Sequence, residues 1–221
     1  MNLLFLPKVK TVGKIDRRFT TSEIAGEQMV YSGDWGYTMA NGGPITRLIM
    51  ETLQLTPEWR DAVGVGLRNG RNIVIDTRTN MLMAGMYPSI PGWHCDDVPR
   101  GEKYAQPDVR KVSDDVQHFM VILSDSDECP ARTEFVTEQV IIDVDPENVW
   151  NSVDAAVERE KFHTAFLNEG EIIRFNQTAI HRATLCQTPG WRLFFRLSIT
   201  HRKPVNEIRK QVQVYTTSNG W

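Results

Sequence analysis

Cysteine is scarce: Cys95, Cys129 and Cys186 are the only three in 221 residues, and no CxxC spacing occurs. That excludes a disulfide scaffold and a cysteine-rich zinc module, and a reduced, cytoplasmic setting is the simplest expectation. Long hydrophobic runs are missing too. No stretch approaches the ~18 apolar residues of a membrane-spanning helix. The leading Met-Asn-Leu-Leu-Phe-Leu-Pro lacks a basic region, and its apolar run is too short for a secretion signal. The Asn176-Gln177-Thr178 sequon therefore carries no weight. Positive charge is not in excess either. The net charge of −3 argues against DNA or RNA as the partner of the whole molecule.

Common catalytic signatures are absent as well. There is no P-loop, HExxH or GxSxG. Gly64-Val65-Gly66 with Gly70 misses the dinucleotide fingerprint, because the third glycine falls one residue late and no βαβ context follows. Asp125-Ser126-Asp127-Glu128 resembles a calcium loop without its glycine, and Pro130 breaks the register.

What remains is an ordinary globular composition, 41% hydrophobic and 24% charged, at a length that fits one domain spanning residues 1–221. Residues 1–70 read as helical support, 71–200 as a β-rich core and 201–221 as a tail. Lys8 to Arg18 reads as a solvated basic segment. Pro44 opens a helical pattern of Ile45, Leu48, Ile49 and Leu53, and a second helix starts near Pro57. Strands are expected at 72–77 and 81–87 around a polar turn Arg78-Thr79-Asn80, then at 92–96, 116–123, 133–144, 171–175, 181–186 and 191–200. A helix interrupts them near 146–160, and 211–215 could add a last strand. Seven or eight short strands after a helical segment suggest a mainly β, α+β fold: a jelly roll with helices packed on one sheet.

His94-Cys95-Asp96 and the distant His181 carry the chemistry. Non-haem Fe(II) is commonly held by two histidines and one carboxylate on one face, with the opposite positions open. Residues i and i+2 of an extended segment point to the same side. His94 and Asp96 satisfy this, and Asp97 faces away. With five histidines and 28 acidic residues, roughly 0.6 such pairs are expected by chance, so the pair needs support. Support comes from Arg196-Leu197-Ser198, the only Arg-x-Ser in the chain. A keto diacid that chelates iron at one end needs a counter-charge at the other. A guanidinium fork, with a nearby hydroxyl, supplies it. In 191–200, Leu193, Phe195, Leu197 and Ile199 share one face, and Arg192, Phe194, Arg196, Ser198 and Thr200 share the other. The first face could lie under the helices and the second line a cavity.

His94-x-Asp96, His181 and Arg196-x-Ser198, in this order, resemble the Fe(II)/2-oxoglutarate-dependent oxygenase superfamily over about residues 70–200. The resemblance implies a double-stranded β-helix (cupin-like) fold. It also implies Fe(II) as cofactor, 2-oxoglutarate and O2 as co-substrates, and oxidation of a C–H bond with release of succinate and CO2. By analogy, Tyr87 is the aromatic hydroxyl that contacts 2-oxoglutarate. Halogenating relatives lack the carboxylate, so Asp96 points to hydroxylation or a related oxidation. The polar loop 97–115 leaves directly after two ligands, which makes Arg100, Lys103 and Tyr104 substrate-contact candidates on a small-molecule or peptide substrate. Two other readings stand beside this one: a cupin-type dioxygenase without 2-oxoglutarate, and a metal-free jelly-roll binding module.

Overall fold

The computed structural model describes residues 1–102, 105–126 and 128–216. The chain runs β1 (Asn2–Phe5), β2 (Val9–Lys14), α1 (Thr21–Ala25), β3 (Val30–Tyr31), α2 (Trp35–Asn41), α3 (Pro44–Gln54), α4 (Pro57–Arg68) and β4 (Asn72–Leu82). After a short helical turn at Val109–Lys111 come β5 (Gln117–Ser124), β6 (Thr133–Val136), β7 (Val140–Asp143), α5 (Val149–Glu160), β8 (Thr164–Phe166), β9 (Glu171–Asn176), β10 (His181–Ala183), β11 (Gly190–Thr200) and β12 (Glu207–Ile208). Among the described residues no helix is long and apolar enough to cross a membrane.

Helices α3 and α4 form where Pro44 and Pro57 placed them. Pro57 occupies the first turn of α4, and Thr56 Oγ1 accepts the Trp59 N–H at 3.2 Å. The start of α3 is capped from outside: the buried Glu27 carboxylate accepts the N–H groups of Ile45 and Thr46 at 3.1 and 2.7 Å. Their apolar faces cover a five-stranded antiparallel sheet of order β2-β9-β5-β11-β4. Leu193, Phe195, Leu197 and Ile199 of β11 are fully buried beneath them, with Phe119, Val121 and Leu123 of β5. Each such side chain contributes about 1.5–3 kcal/mol of burial.

The opposite face of that sheet meets a second layer. A three-stranded antiparallel sheet, β10-β6-β8, brings Phe135 against Met120, Ile122, Ile173 and Phe175. A further pair, β1-β7, packs with α5. The fold is thus mixed, helix-backed and built on antiparallel sheets.

Several expectations are corrected. Arg78-Thr79-Asn80 is not a turn: β4 runs unbroken through it, paired residue for residue with β11 from Asn72↔Thr200 to Leu82↔Gly190. Local polarity lost to that long ladder. Lys8–Arg18 is not merely a solvated segment, because Val9–Lys14 is the edge strand against β9, where lysines protect an open edge. The single strand at 133–144 is two, one for each of two sheets. The 211–215 strand reduces to one bridge, Tyr215↔Tyr87, while 207–208 pairs with β3. The N-terminal part therefore contributes strands as well as helices.

Candidate metal centre

The segment 92–96 is not a strand. It touches its neighbour at one residue: His94 donates to the His181 carbonyl at 3.0 Å, and His181 donates back at 2.8 Å. Left-handed residues on either side, Gly92 (φ 96°) and Asp97 (φ 53°), turn the chain away. Local alternation still operates. Trp93 and Cys95 are buried in the cluster around α5, and His94 and Asp96 face the other way. Trp93 fixes the segment: its backbone N–H donates to Asp154 at 2.9 Å and its indole N–H to Glu158 at 3.2 Å.

His94, Asp96 and His181 come together as a candidate metal cluster, each offering a ligand atom within 4.8 Å of the others. His94 Nδ1 lies 3.0 Å from the Gly92 carbonyl, and His181 Nδ1 lies 2.9 Å from the Ala179 carbonyl. A carbonyl only accepts, so each Nδ1 carries the proton and each Nε2 keeps its lone pair. This is the arrangement that prepares histidine as a metal ligand. Burial pushes the His94 pKa down to about 4, with His181 adding to the shift, so the ring is neutral at pH 7. Asp96 Oδ2 is buried without a hydrogen bond, 3.5 Å from His181 Nε2. Burial opposes the Asp96 charge, but Arg196 overrides it and holds the carboxyl well below its usual range. Two imidazole nitrogens and a carboxylate oxygen so arranged fit Fe(II) or a similar divalent ion.

The cluster lines a cavity of about 470 Å³ between the two layers, within the range of small-molecule sites. Along its other wall run Arg192, Phe194 and Arg196 of β11, the face that alternation had assigned to a cavity, with Arg78 of β4. Arg196 is paired twice. Its Nη1 is 2.6 Å from Asp96 Oδ1, and its Nη2 is 3.4 Å from Asp76 Oδ2. Arg196, expected to be the counter-charge of a keto diacid, thus already has two carboxylate partners within the chain. Asp76 also receives Arg209 at 3.1 Å and Arg202 at 3.8 Å, and Arg202 Nε lies 2.8 Å from Asp97.

Arg192 is different. It is buried and donates from Nε to the Ala131 carbonyl at 2.8 Å, with no carboxylate partner among the described residues. Burial lowers its pKa to about 10. Arg78 has no ion-pair partner there either, and its buried Nε has no hydrogen bond. Burial, then repulsion from Arg209 and Arg196, lowers its pKa. Both guanidiniums lie against the Phe194 ring, at 5.6 and 5.9 Å.

The remaining candidates lie elsewhere. Ser198 is fully buried and bonded to His118 Nδ1 at 2.9 Å, rather than lining the cavity. Tyr87 lines a separate cleft with Asp154, Glu158 and Arg182. Arg100 stands at the rim and donates to the Ala105 carbonyl at 2.9 Å. Lys103 and Tyr104 lie outside the described residues. Sequence reasoning missed Asp76 and Arg78 as cavity-side groups: the expected strand stopped at residue 77, which left Arg78 out, and the pairing of Asp76 with Arg196 lies 120 residues away. An alternation carried through residue 82 would have placed both on one face.

No protein-family model matches the chain, and no curated protein does. Solved structures with a partial likeness include the following. An N-substituted L-amino acid dioxygenase from Burkholderia ambifaria is 14% identical, with a TM-score of 0.37, over 58% of this chain and 50% of its own. The same enzyme in complex with alpha-KG gives 14% and 0.35 over 57% and 49%. The apo form of the non-heme monooxygenase ThoJ gives 16% and 0.31 over 91% and 85%. The chain thus spans about half the length of the Burkholderia enzyme. These structures are a dioxygenase and a non-heme monooxygenase, but at such scores the likeness carries no weight, and the functional reading rests on the residues.

Proposed function

We propose that the protein is an Fe(II)- and 2-oxoglutarate-dependent oxygenase on a double-stranded β-helix core, acting on a small molecule or peptide. The observation that carries this reading is the His94/Asp96/His181 cluster. The Nδ1–H bonds make both Nε2 atoms acceptors, and the cluster stands in the wall of a cavity that also holds an arginine with no carboxylate partner among the described residues. Fe(II) bound there would supply oxygen activation coupled to decarboxylation of 2-oxoglutarate to succinate and CO2, with oxidation of a substrate C–H bond.

The residues divide the remaining work. Gly92 and Ala179 carbonyls fix the tautomers and ring orientations of the two histidines. Arg196 orients the Asp96 carboxylate through one oxygen and leaves the other for the metal. Arg192, rather than the already paired Arg196, takes the far carboxylate of the co-substrate. Its buried fork meets no carboxylate among the described residues, and an ionic hydrogen bond made away from water is among the strong ones. Met120 and Phe194 give the cavity apolar walls that keep water from the bound groups.

The test is anaerobic titration of the protein with Fe(II), then 2-oxoglutarate, followed by oxygen and a succinate assay. One bound Fe(II) per chain and slow succinate formation are expected even without prime substrate. Iron binding without succinate from 2-oxoglutarate would favour a cupin-type dioxygenase, and no metal binding at all would leave a jelly-roll binding module.

A further inference from the structure

The cavity side of the large sheet carries more cations than the carboxylates of the described residues balance. Arg78, Arg192, Arg196, Arg202 and Arg209 stand there, and Arg196, Arg202 and Arg209 share the carboxylates of Asp76, Asp96 and Asp97. Among the described residues, Arg78 and Arg192 pair with no carboxylate. If the proposed function holds, Fe(II) adds two positive charges and 2-oxoglutarate adds two negative ones. With Arg192 taking the far carboxylate of that co-substrate, the Arg78 guanidinium remains without an anion. Burying unpaired charge is costly, so a further anion is called for.

We propose that the prime substrate carries a carboxylate and that Arg78 receives it. This rests on the proposed function and goes on to name the substrate class of that site. Arg78 fits the role better than Arg192 does. Arg192 is enclosed, tied to the Ala131 carbonyl, and stands opposite Asn80, a buried amide whose two polar atoms have no partner. Arg78 lies on the outermost strand β4, lines the metal cavity, and also borders a second cleft with Arg209 and Tyr215 that opens outward. Its planar fork suits a carboxylate, and Phe194 beside it offers a face for the substrate's apolar body. Arg100 at the cavity rim adds positive charge that would draw an anion inward.

The test uses Mn(II) as a redox-inert metal, saturating 2-oxoglutarate, and two probes of equal shape but different charge, phenylacetate and phenylacetamide. By calorimetry, the loaded wild-type protein should bind phenylacetate about tenfold or more tightly than the amide. Arg78→Met should remove that preference and change 2-oxoglutarate affinity less than about threefold. Arg192→Met should do the reverse. The proposal is overturned if loaded wild-type protein has no preference for the anion, or if Arg78→Met leaves it intact. It is overturned equally if Arg78→Met weakens 2-oxoglutarate as much as Arg192→Met does, since both arginines would then clamp the co-substrate. If wild-type protein binds no 2-oxoglutarate, the co-substrate assignment fails by itself. The probe titration on Mn(II)-loaded protein then reads Arg78 directly, and loss of the preference in Arg78→Met sustains its role as a carboxylate receptor.

Discussion

His94 and His181 exchange both of their backbone hydrogen bonds, at 3.0 and 2.8 Å, and the pair is an isolated bridge outside any strand ladder. Their rings therefore start from a fixed backbone separation, with centroids 4.7 Å apart. Asp96 is delivered by the same short segment, so the whole cluster depends on one point of pairing and on the turn at Asp97.

That turn separates two adjacent carboxylates by role. Asp96 joins the cluster, and Asp97 pairs with Arg202. Asp96→Ala should abolish Fe(II) binding in an anaerobic titration, whereas Asp97→Ala should bind iron within about threefold of wild type. Equal loss in both variants would refute the ligand assignment.

The two arginines of β11 should separate in kinetics. Arg192→Met should raise the 2-oxoglutarate concentration needed for half-maximal succinate formation by about tenfold or more, the size of a lost charged hydrogen bond. Arg196→Met leaves Asp96 and part of Asp76 without a counter-charge. Its main effect should be on stability, a loss of about 3–5 kcal/mol in urea unfolding, together with weaker metal binding. If Arg196→Met instead folds normally and only the 2-oxoglutarate requirement rises, Arg196 is the anchor.

His118 makes the metal-free protein acid-sensitive. It is fully buried, and burial lowers its pKa to about 4. In the unfolded chain it takes up a proton below about pH 6.5. The folded form refuses that proton until about pH 4, so stability should fall as pH drops through this window. The loss attributable to His118 is on the order of 3 kcal/mol, and His94 adds to it. His118→Gln should flatten the slope of unfolding free energy between those pH values; an unchanged slope would place its source elsewhere. Ser198→Ala removes the Nδ1 partner and should cost about 1–3 kcal/mol without altering the 2-oxoglutarate requirement.

Helix α4 approaches β11 at Gly66, where an added Cβ would stand 2.2 Å from Ile199 Cγ2. Gly66→Ala should destabilise the protein by about 1–3 kcal/mol in chemical denaturation, despite the better helix propensity of alanine. A neutral or stabilising result would mean the helix slides at no cost.

Short-range chemistry was legible from the residues alone. Pro44 and Pro57 with their neighbours specified two helices. Strict alternation in β11 specified one face for the core and one for a cavity. The His94-x-Asp96 spacing put two side chains on one side of an extended segment. Tertiary structure decided the rest, because pairing partners lie far along the chain. Arg78-Thr79-Asn80 has the polarity of a turn, yet eleven paired residues against β11 hold it extended. Ser198 and Tyr87 fitted their expected roles by position alone, but His118 claimed the hydroxyl and the fold put the tyrosine in another cleft. Which arginine stays without a carboxylate was not legible either. That depends on where Asp76 and Asp96 arrive from other segments, and a charge is satisfied only by neighbours in space.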